Sequence, residues 1–308
     1  MPLHPVAAQM VEDAKTGRPN AHLLPVEEAR ANFESDFGSL PKPAIARSED
    51  VEIPVRDTVI PGRVLSDTTE PGAPLLVFFH GGGWLLGSID SHDMMARKIA
   101  IATGCVVLSV GYRRGPDSRF PTATDDALDA VRWAVANADM LGADASRLVL
   151  AGDSAGGNLA AVTAIRCRDE GGPAVTHQLL VYPVTTCDLE IGFDPEWEGV
   201  MLYRDEMLWH QEHYLPGPEA RTDPHVAPLL ADLAGLPAAT VVLGECDPIR
   251  PQGRLYAEAL AAAGVPVQVE EYASLVHGFF GLEMLFPEAA AAMDFAGAAV
   301  RAAVGTTA

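Results

Sequence analysis

Along most of the 308-residue chain, unbroken apolar runs alternate with stretches of helical period. The runs "PLLVFFH" (74–80), "CVVLSVGY" (105–112), "RLVLAGD" (147–153), "QLLVYP" (178–183), "ATVVLGE" (239–245) and "VQVEEY" (267–272) predict strands. Most are Val/Leu-rich without polar alternation, the pattern of strands covered on both faces. Between them, helices are predicted over 119–139, from Ser154 to Cys167, over 250–264 and over 288–304. Strand–helix alternation of this kind builds a mostly parallel central sheet with helices on each side.

Two segments depart from that rhythm. In 1–45, Val26, Ala29, Phe33 and Phe37 recur at helical spacing behind Pro25, so this part reads as a helical segment set apart from the sheet. In 185–226 there is no strand signal, while "RDEMLWHQEHYL" has helical character. An insertion that long between strands is expected to be a lid or cap. The sheet domain is then 46–184 plus 227–308.

Charge narrows the partners. The formal net charge is −21, a surface that repels nucleic acid and anionic membranes, so neither is expected as a partner. The start lacks a basic stretch leading into an apolar one, and no run is apolar for the roughly 18 residues of a membrane span, so a cytoplasmic protein is expected. Cys105, Cys167, Cys187 and Cys246 are scattered without C-x-x-C spacing. They predict buried thiols, with no metal site and no cofactor.

Three motifs carry chemistry. Gly152-Asp153-Ser154-Ala155-Gly156 matches G-x-S-x-G and falls between a predicted strand and helix. A sharp turn there presents the serine hydroxyl at the sheet edge, and only small neighbours fit around it. The bland alternative is a serine that caps the following helix. His80-Gly81-Gly82-Gly83-Trp84 follows the strand 74–80. Consecutive glycines are entropically costly, and a backbone that must aim N–H groups at a developing oxyanion supplies a reason. A phosphate-binding loop fits worse, because no G-x-x-x-x-G-K-[ST] is present.

A nucleophilic serine needs a base and a group to orient it. Asp247 and His277 each lie just beyond a predicted strand, on the same expected edge as Ser154, in the order Ser, Asp, His. Glu245 is the nearest rival acid.

With these residues in place, the chain resembles the hormone-sensitive-lipase-like (family IV) carboxylesterases of the α/β-hydrolase superfamily. The likeness rests on "HGGGW" (80–84), "YRRGPDSRFPTATDD" (112–126), "GDSAGGN" (152–158), "DPHVAPLLA" (223–231), "DPIRPQG" (247–253) and "HGF" (277–279). It implies an α/β-hydrolase fold with a helical cap made by 1–45 and 185–226. It implies Ser154 as nucleophile, His277 as base and then acid, and Asp247 as the orienting carboxylate. Gly82, Gly83 and Ala155 would supply the oxyanion N–H groups, and His80 would brace the glycine loop. Two stretches depart from the family pattern. Arg114-Gly115-Pro116-Asp117 replaces its usual Leu-Ala-Pro-Glu, and Ile249-Arg250-Pro251-Gln252 replaces Leu-Arg-Asp-Glu.

The expected activity is hydrolysis of short-acyl-chain esters through an acyl-enzyme on Ser154. The same triad also serves amide or acetyl-amine deacylation and acyl transfer. A non-catalytic small-molecule receptor fits worse, because the base histidine is present. Trp84, Trp197, Tyr203 and Trp209 are candidates to line the pocket. The predicted edge strand 267–272 is where two copies could pair as a homodimer.

Overall fold

The computed structural model describes residues 2–15 and 17–306. In chain order its helices are α1 (Pro5–Ala14), α2 (Val26–Phe37), α3 (Asp93–Thr103), α4 (Thr122–Ala136), α5 (Ala138–Leu141), α6 (Ala155–Asp169), α7 (Leu189–Gly192), α8 (Arg204–Tyr214), α9 (Arg250–Ala262) and α10 (Ala289–Val304). Its strands are β1 (Arg47–Val55), β2 (Thr58–Ser66), β3 (Ala73–Phe79), β4 (Val106–Val110), β5 (Ala143–Asp153), β6 (Val175–Val181), β7 (Ala238–Gly244) and β8 (Val267–Tyr272).

The eight strands form one sheet in the order β1-β2-β4-β3-β5-β6-β7-β8. From β4 to β8 neighbouring strands run parallel, while β1 and β2 join antiparallel at one edge. The six predicted strands are all present. The central ones are covered on both faces, and β3, β4 and the apolar part of β5 hold the deepest core residues, among them Leu76, Val77, Phe78, Leu108 and Leu150. Helices α3 and α10 pack together on one face, and α4, α6 and α9 lie on the other.

The hairpin β1–β2 is absent from the sequence prediction, although Val51, Ile53 and Val55 alternate with polar residues. Pro54 and Pro61 obscure the pattern; they are tolerated because Pro54 lies on the edge strand and Pro61 lies just outside the stretch of β2 that pairs with β4. Helices α1 and α3 also went unpredicted as separate elements. The single helix expected over 119–139 is two, parted at Asn137, whose side chain turns back to the Trp133 carbonyl at 2.8 Å. That bond competes with continued helix. Pro25 precedes α2 as its cap rather than sitting in its first turn.

Parallel strands bring their carboxyl ends to one edge, so the glycine loop after β3, Ser154 after β5, Asp247 after β7 and His277 after β8 share that edge. Between β6 and β7, residues 185–226 hold α7, α8 and two short 3₁₀ turns and, as described, no strand. Buried Asn158 of α6 clasps both ends of this stretch, donating to the carbonyls of Val184 and Val226 at 2.9 Å each.

Candidate active site

Ser154 stands at the junction of β5 and α6 with φ of 54° and ψ of −118°. A positive φ is strained for a residue with a Cβ, and the neighbours hold it there. Its N–H donates to the Val181 carbonyl at 2.9 Å, and its carbonyl accepts from Asn158 N at 3.0 Å and Val184 N at 3.2 Å. A side chain on Gly156 would collide with the Phe79 carbonyl, and one on Gly152 with the Gly156 carbonyl. These two glycines let β5, β3 and α6 approach closely enough to make the turn. The serine does not cap α6, since its side chain makes no cap hydrogen bond.

The hydroxyl instead meets His277, with Nε2 2.9 Å from Oγ. The other ring nitrogen, Nδ1, lies 2.7 Å from Asp247 Oδ2. Asp247 is fully buried, and its second oxygen accepts the N–H of Ile249 at 2.8 Å. The Tyr182 ring packs on the imidazole with centroids 4.6 Å apart. A carboxylate that holds Nδ1–H leaves Nε2 as the acceptor facing the serine. Glu245 faces elsewhere, accepting the N–H of Ser274 at 3.1 Å.

The glycine loop lies beside the serine turn and is braced from two sides. Gly82 and Gly83 have φ of 106° and 60°. Among the described residues, no acceptor engages the N–H of Gly82, Gly83 or Ala155. His80 is buried, stacks on Tyr112 with centroids 4.3 Å apart, and places Nδ1 2.8 Å from the Gly81 carbonyl. Burial holds it far below the ordinary histidine pKa, with the His92 ring reinforcing the shift. It is therefore neutral and suited to donating that hydrogen bond.

The second brace is Asp153, to which the motif alone assigns no role. Its buried Oδ1 accepts the Gly81 N–H at 2.9 Å, and Oδ2 lies 3.7 Å from His92 Nε2. A carboxylate at the variable position of G-x-S-x-G has a signal in the sequence only once the glycine loop is known to be adjacent.

Above Ser154 is a cavity of about 380 Å³. Its walls come from the glycine loop, the Ser154 turn, His277, the segment 18–40 around α2, and residues 201–210 leading into and along α8. Trp84 lines it, stacked nearly parallel on Tyr214 with centroids 4.6 Å apart. Tyr203, Trp209 and Trp197 do not line it. Tyr203 stands just before α8 at its N-cap and turns towards His22, with ring centroids 5.8 Å apart. Trp209 lies on the other side of α8, against His210 and His213. Helical period separates these faces: Glu206 and His210, four apart, look into the cavity, and Trp209 does not. Sequence reading singled out the aromatics and missed these two polar residues.

The family departures have structural counterparts. Asp117 pairs with Arg30 of α2 at 2.9 Å. Gln252 Oε1 accepts the N–H groups of Thr185 and Thr186 at 2.8 and 3.1 Å, anchoring the start of the insertion. Arg250 bridges Asp194 at 3.0 Å and Glu271 at 3.3 Å.

Residues 76–281 match a family model described as alpha/beta hydrolase fold. The carboxylesterase NlhH of Mycobacterium tuberculosis is 41% identical over 253 residues, 80% of this chain and 79% of that protein. An ethyl acetate hydrolase of Pseudomonas putida is 36% identical over 306 residues, 94% of this chain and 95% of that protein. A hyperthermophilic esterase from the archaeon Pyrobaculum calidifontis superposes with a TM-score of 0.90 at 36% identity, covering 98% of this chain and 99% of that one. With this likeness spanning the glycine loop, the serine turn and both strand ends beyond it, the chain belongs to the hormone-sensitive-lipase-like (family IV) carboxylesterases of the α/β-hydrolase superfamily.

Proposed function

We propose that the protein hydrolyses short-acyl-chain carboxylic esters through an acyl-enzyme on Ser154. One observation carries this: His277 bridges Ser154 Oγ and buried Asp247 with two short contacts, 2.9 and 2.7 Å. Ser154 Oγ attacks the ester carbonyl and passes its proton to His277 Nε2. Charge developing on the carbonyl oxygen meets the N–H groups of Gly82, Gly83 and Ala155, donors set before the reaction begins. Collapse of this intermediate breaks the ester bond, and His277 returns the proton to the departing alcohol. Water, activated by His277, then releases the acid and restores Ser154. Asp247 holds the imidazole in the tautomer these steps need.

Short chains fit a cavity of about 380 Å³, and the Pseudomonas putida relative is named for ethyl acetate. The cavity walls drawn from 18–40 and 201–210 support the reading of 1–45 and 185–226 as a two-part cap. The same proposal puts the protein in the cytoplasm, where four free, buried cysteines suit a reducing compartment. Among the described residues, no helix is long and apolar enough to cross a membrane. It also includes a homodimer through β8, the sheet's last strand, where Val269 is exposed; light scattering tests that state.

The central test is Ser154→Ala assayed with p-nitrophenyl butyrate. Turnover is expected to fall by about 10⁴-fold or more, towards what the remaining site supplies. Near-native turnover would overturn the assignment of the nucleophile.

A further inference from the structure

Glu206 and His210 are a polar pair set into the cavity wall. Both project from α8, four residues apart, and their side chains are 13% and 7% exposed. Glu206 Oε1 lies 3.9 Å from His210 Nε2, too far for a hydrogen bond. His210 Nδ1 is buried without a partner. The imidazole packs directly on Gly83, on the loop that faces Ser154. Much of the surrounding wall is apolar, including Leu24, Phe33, Met201, Leu202, Met207 and Leu282. Buried polar groups are ordinarily satisfied, so a pair left open inside a ligand-sized cavity calls for a ligand group.

The charges around the pair indicate which group. Arg18 lines the same cavity, but Asp36 already holds it through both carboxylate oxygens at 2.6 Å. Asp153 is engaged with Gly81. Glu206 also has a local duty at the start of α8, accepting from the Tyr203 backbone N–H, as a third-position glutamate does in a capping box. Among the described residues, its carboxylate makes no hydrogen bond to another side chain, and one oxygen remains directed at His210. His210 is neutral, since burial drives it down to about 3, helped by His213, His22 and His277. Burial pushes the Glu206 carboxyl up to about 7, against the opposing pull of His277 and the Tyr203 N–H. A cation placed beside it would restore the ionised form. The net charge of −21 also draws cations towards the molecule.

We propose that Glu206, with His210 beside it, is a specificity site for an ammonium group on the substrate, so that amine-bearing short esters are preferred over isosteric alkyl esters. This rests on the esterase reading and names a substrate class for it. The ammonium N–H donates to the Glu206 carboxylate, beside a neutral His210 that does not repel it.

The test compares kcat/KM within two isosteric pairs. On the alcohol side the pair is 2-(dimethylamino)ethyl butyrate and 3-methylbutyl butyrate. On the acyl side it is ethyl 4-(dimethylamino)butanoate and ethyl 5-methylhexanoate. In at least one pair the amine is expected to be favoured by about tenfold, the scale of a charged hydrogen bond. The responding pair identifies which half of the ester faces α8. Glu206→Gln should bring that ratio close to one, and Glu206→Met should do the same if the glutamine variant does not fold. Only ratios are read, so a general loss of activity cancels within each pair. A wild-type ratio at or below one in both pairs would overturn the proposal, as would a ratio unchanged in a folded variant. Failure of the esterase reading would look different: wild type would not turn over p-nitrophenyl butyrate, or Ser154→Ala would turn it over as well as wild type.

Discussion

Asp153 Oδ1 accepts the N–H of Gly81 at 2.9 Å, so the residue just before the serine holds the loop that faces it. Serine turn and glycine loop are thereby coupled through one buried carboxylate. Gly81 lies so close that a side chain there would collide with Asp153. Next to Gly81 come Gly82 and Gly83, the donors proposed for the oxyanion, so any slack in this bond is passed to them.

Asp153→Ala leaves the Gly81 N–H buried and unpaired. The expected loss is about 1–3 kcal/mol of stability and about tenfold to a hundredfold in kcat, with KM little changed. The split matters, because donors aligned only for the developing charge act on kcat. Asp153→Asn keeps an accepting oxygen and should recover most of both. Equal kcat for wild type and Asp153→Ala would show that the loop holds itself.

Asp247→Asn is a test of tautomer rather than of packing. The asparagine fits the same buried space but can present an N–H to His277 Nδ1, which turns the imidazole proton towards Ser154. A fall in kcat of about 10⁴-fold is expected, with the unfolding temperature near that of wild type. A large thermal loss with modest loss of kcat would make Asp247 structural.

Gly156 and Gly157 are adjacent but should respond very differently to alanine. At Gly156 the added carbon collides with the backbone carbonyls of Phe79 and His80, which cannot move aside without parting β3 from α6. Gly156→Ala should cost more than about 4 kcal/mol or abolish folding. At Gly157 the new carbon meets Pro183 Cβ at 3.0 Å, the Gly152 carbonyl oxygen at 3.1 Å and Pro183 Cα at 3.2 Å, far less severe than the clash at Gly156. A shift of a few tenths of an ångström accommodates it, so Gly157→Ala should fold. Chemical denaturation of the two variants side by side checks this ranking.

Buried neutral histidines make the fold sensitive to acid. His177 is lowered by burial to about 4, from an ordinary 6.5. As pH falls, the unfolded chain takes up this proton first. Its contribution to stability is complete above 6.5 and is lost as pH falls through about 4. His80 and His210 act in the same direction. Glu206 acts oppositely: raised to about 7, it adds stability at low pH that disappears as pH rises through that value. Melting temperatures should therefore fall between about pH 6.5 and 4, with three histidines outweighing one glutamate. His177 on β6 bonds Thr240 on β7 at 2.9 Å and neither lines the cavity, so His177→Gln should flatten the slope without touching the site. An unchanged slope would remove His177 from this account.

Much of the site was legible before the structure because its chemistry is tied to strand ends. Unbroken apolar runs locate the strands, and each of the glycine loop, Ser154, Asp247 and His277 follows one directly. Parallel strands then carry these points to a common edge whatever the details of packing. The edge hairpin was less legible, because its strands face solvent on one side and carry prolines.

The sequence by itself determined the parallel sheet and the order of the three motifs, since local periodicity and spacing encode both, and the resemblance of those motifs pointed to the family. Only tertiary structure decided which residues of α8 face the serine. On α8, a rotation of one residue separates Trp209, turned away, from His210, packed on Gly83. The hydrophobic pattern of that helix does not choose between them, because the cavity supplies a second, polar surface for it to meet. The role of Asp153 was decided in the same way. A carboxylate 72 residues from Gly81 in the chain becomes its hydrogen-bond partner only when β3 and β5 lie side by side.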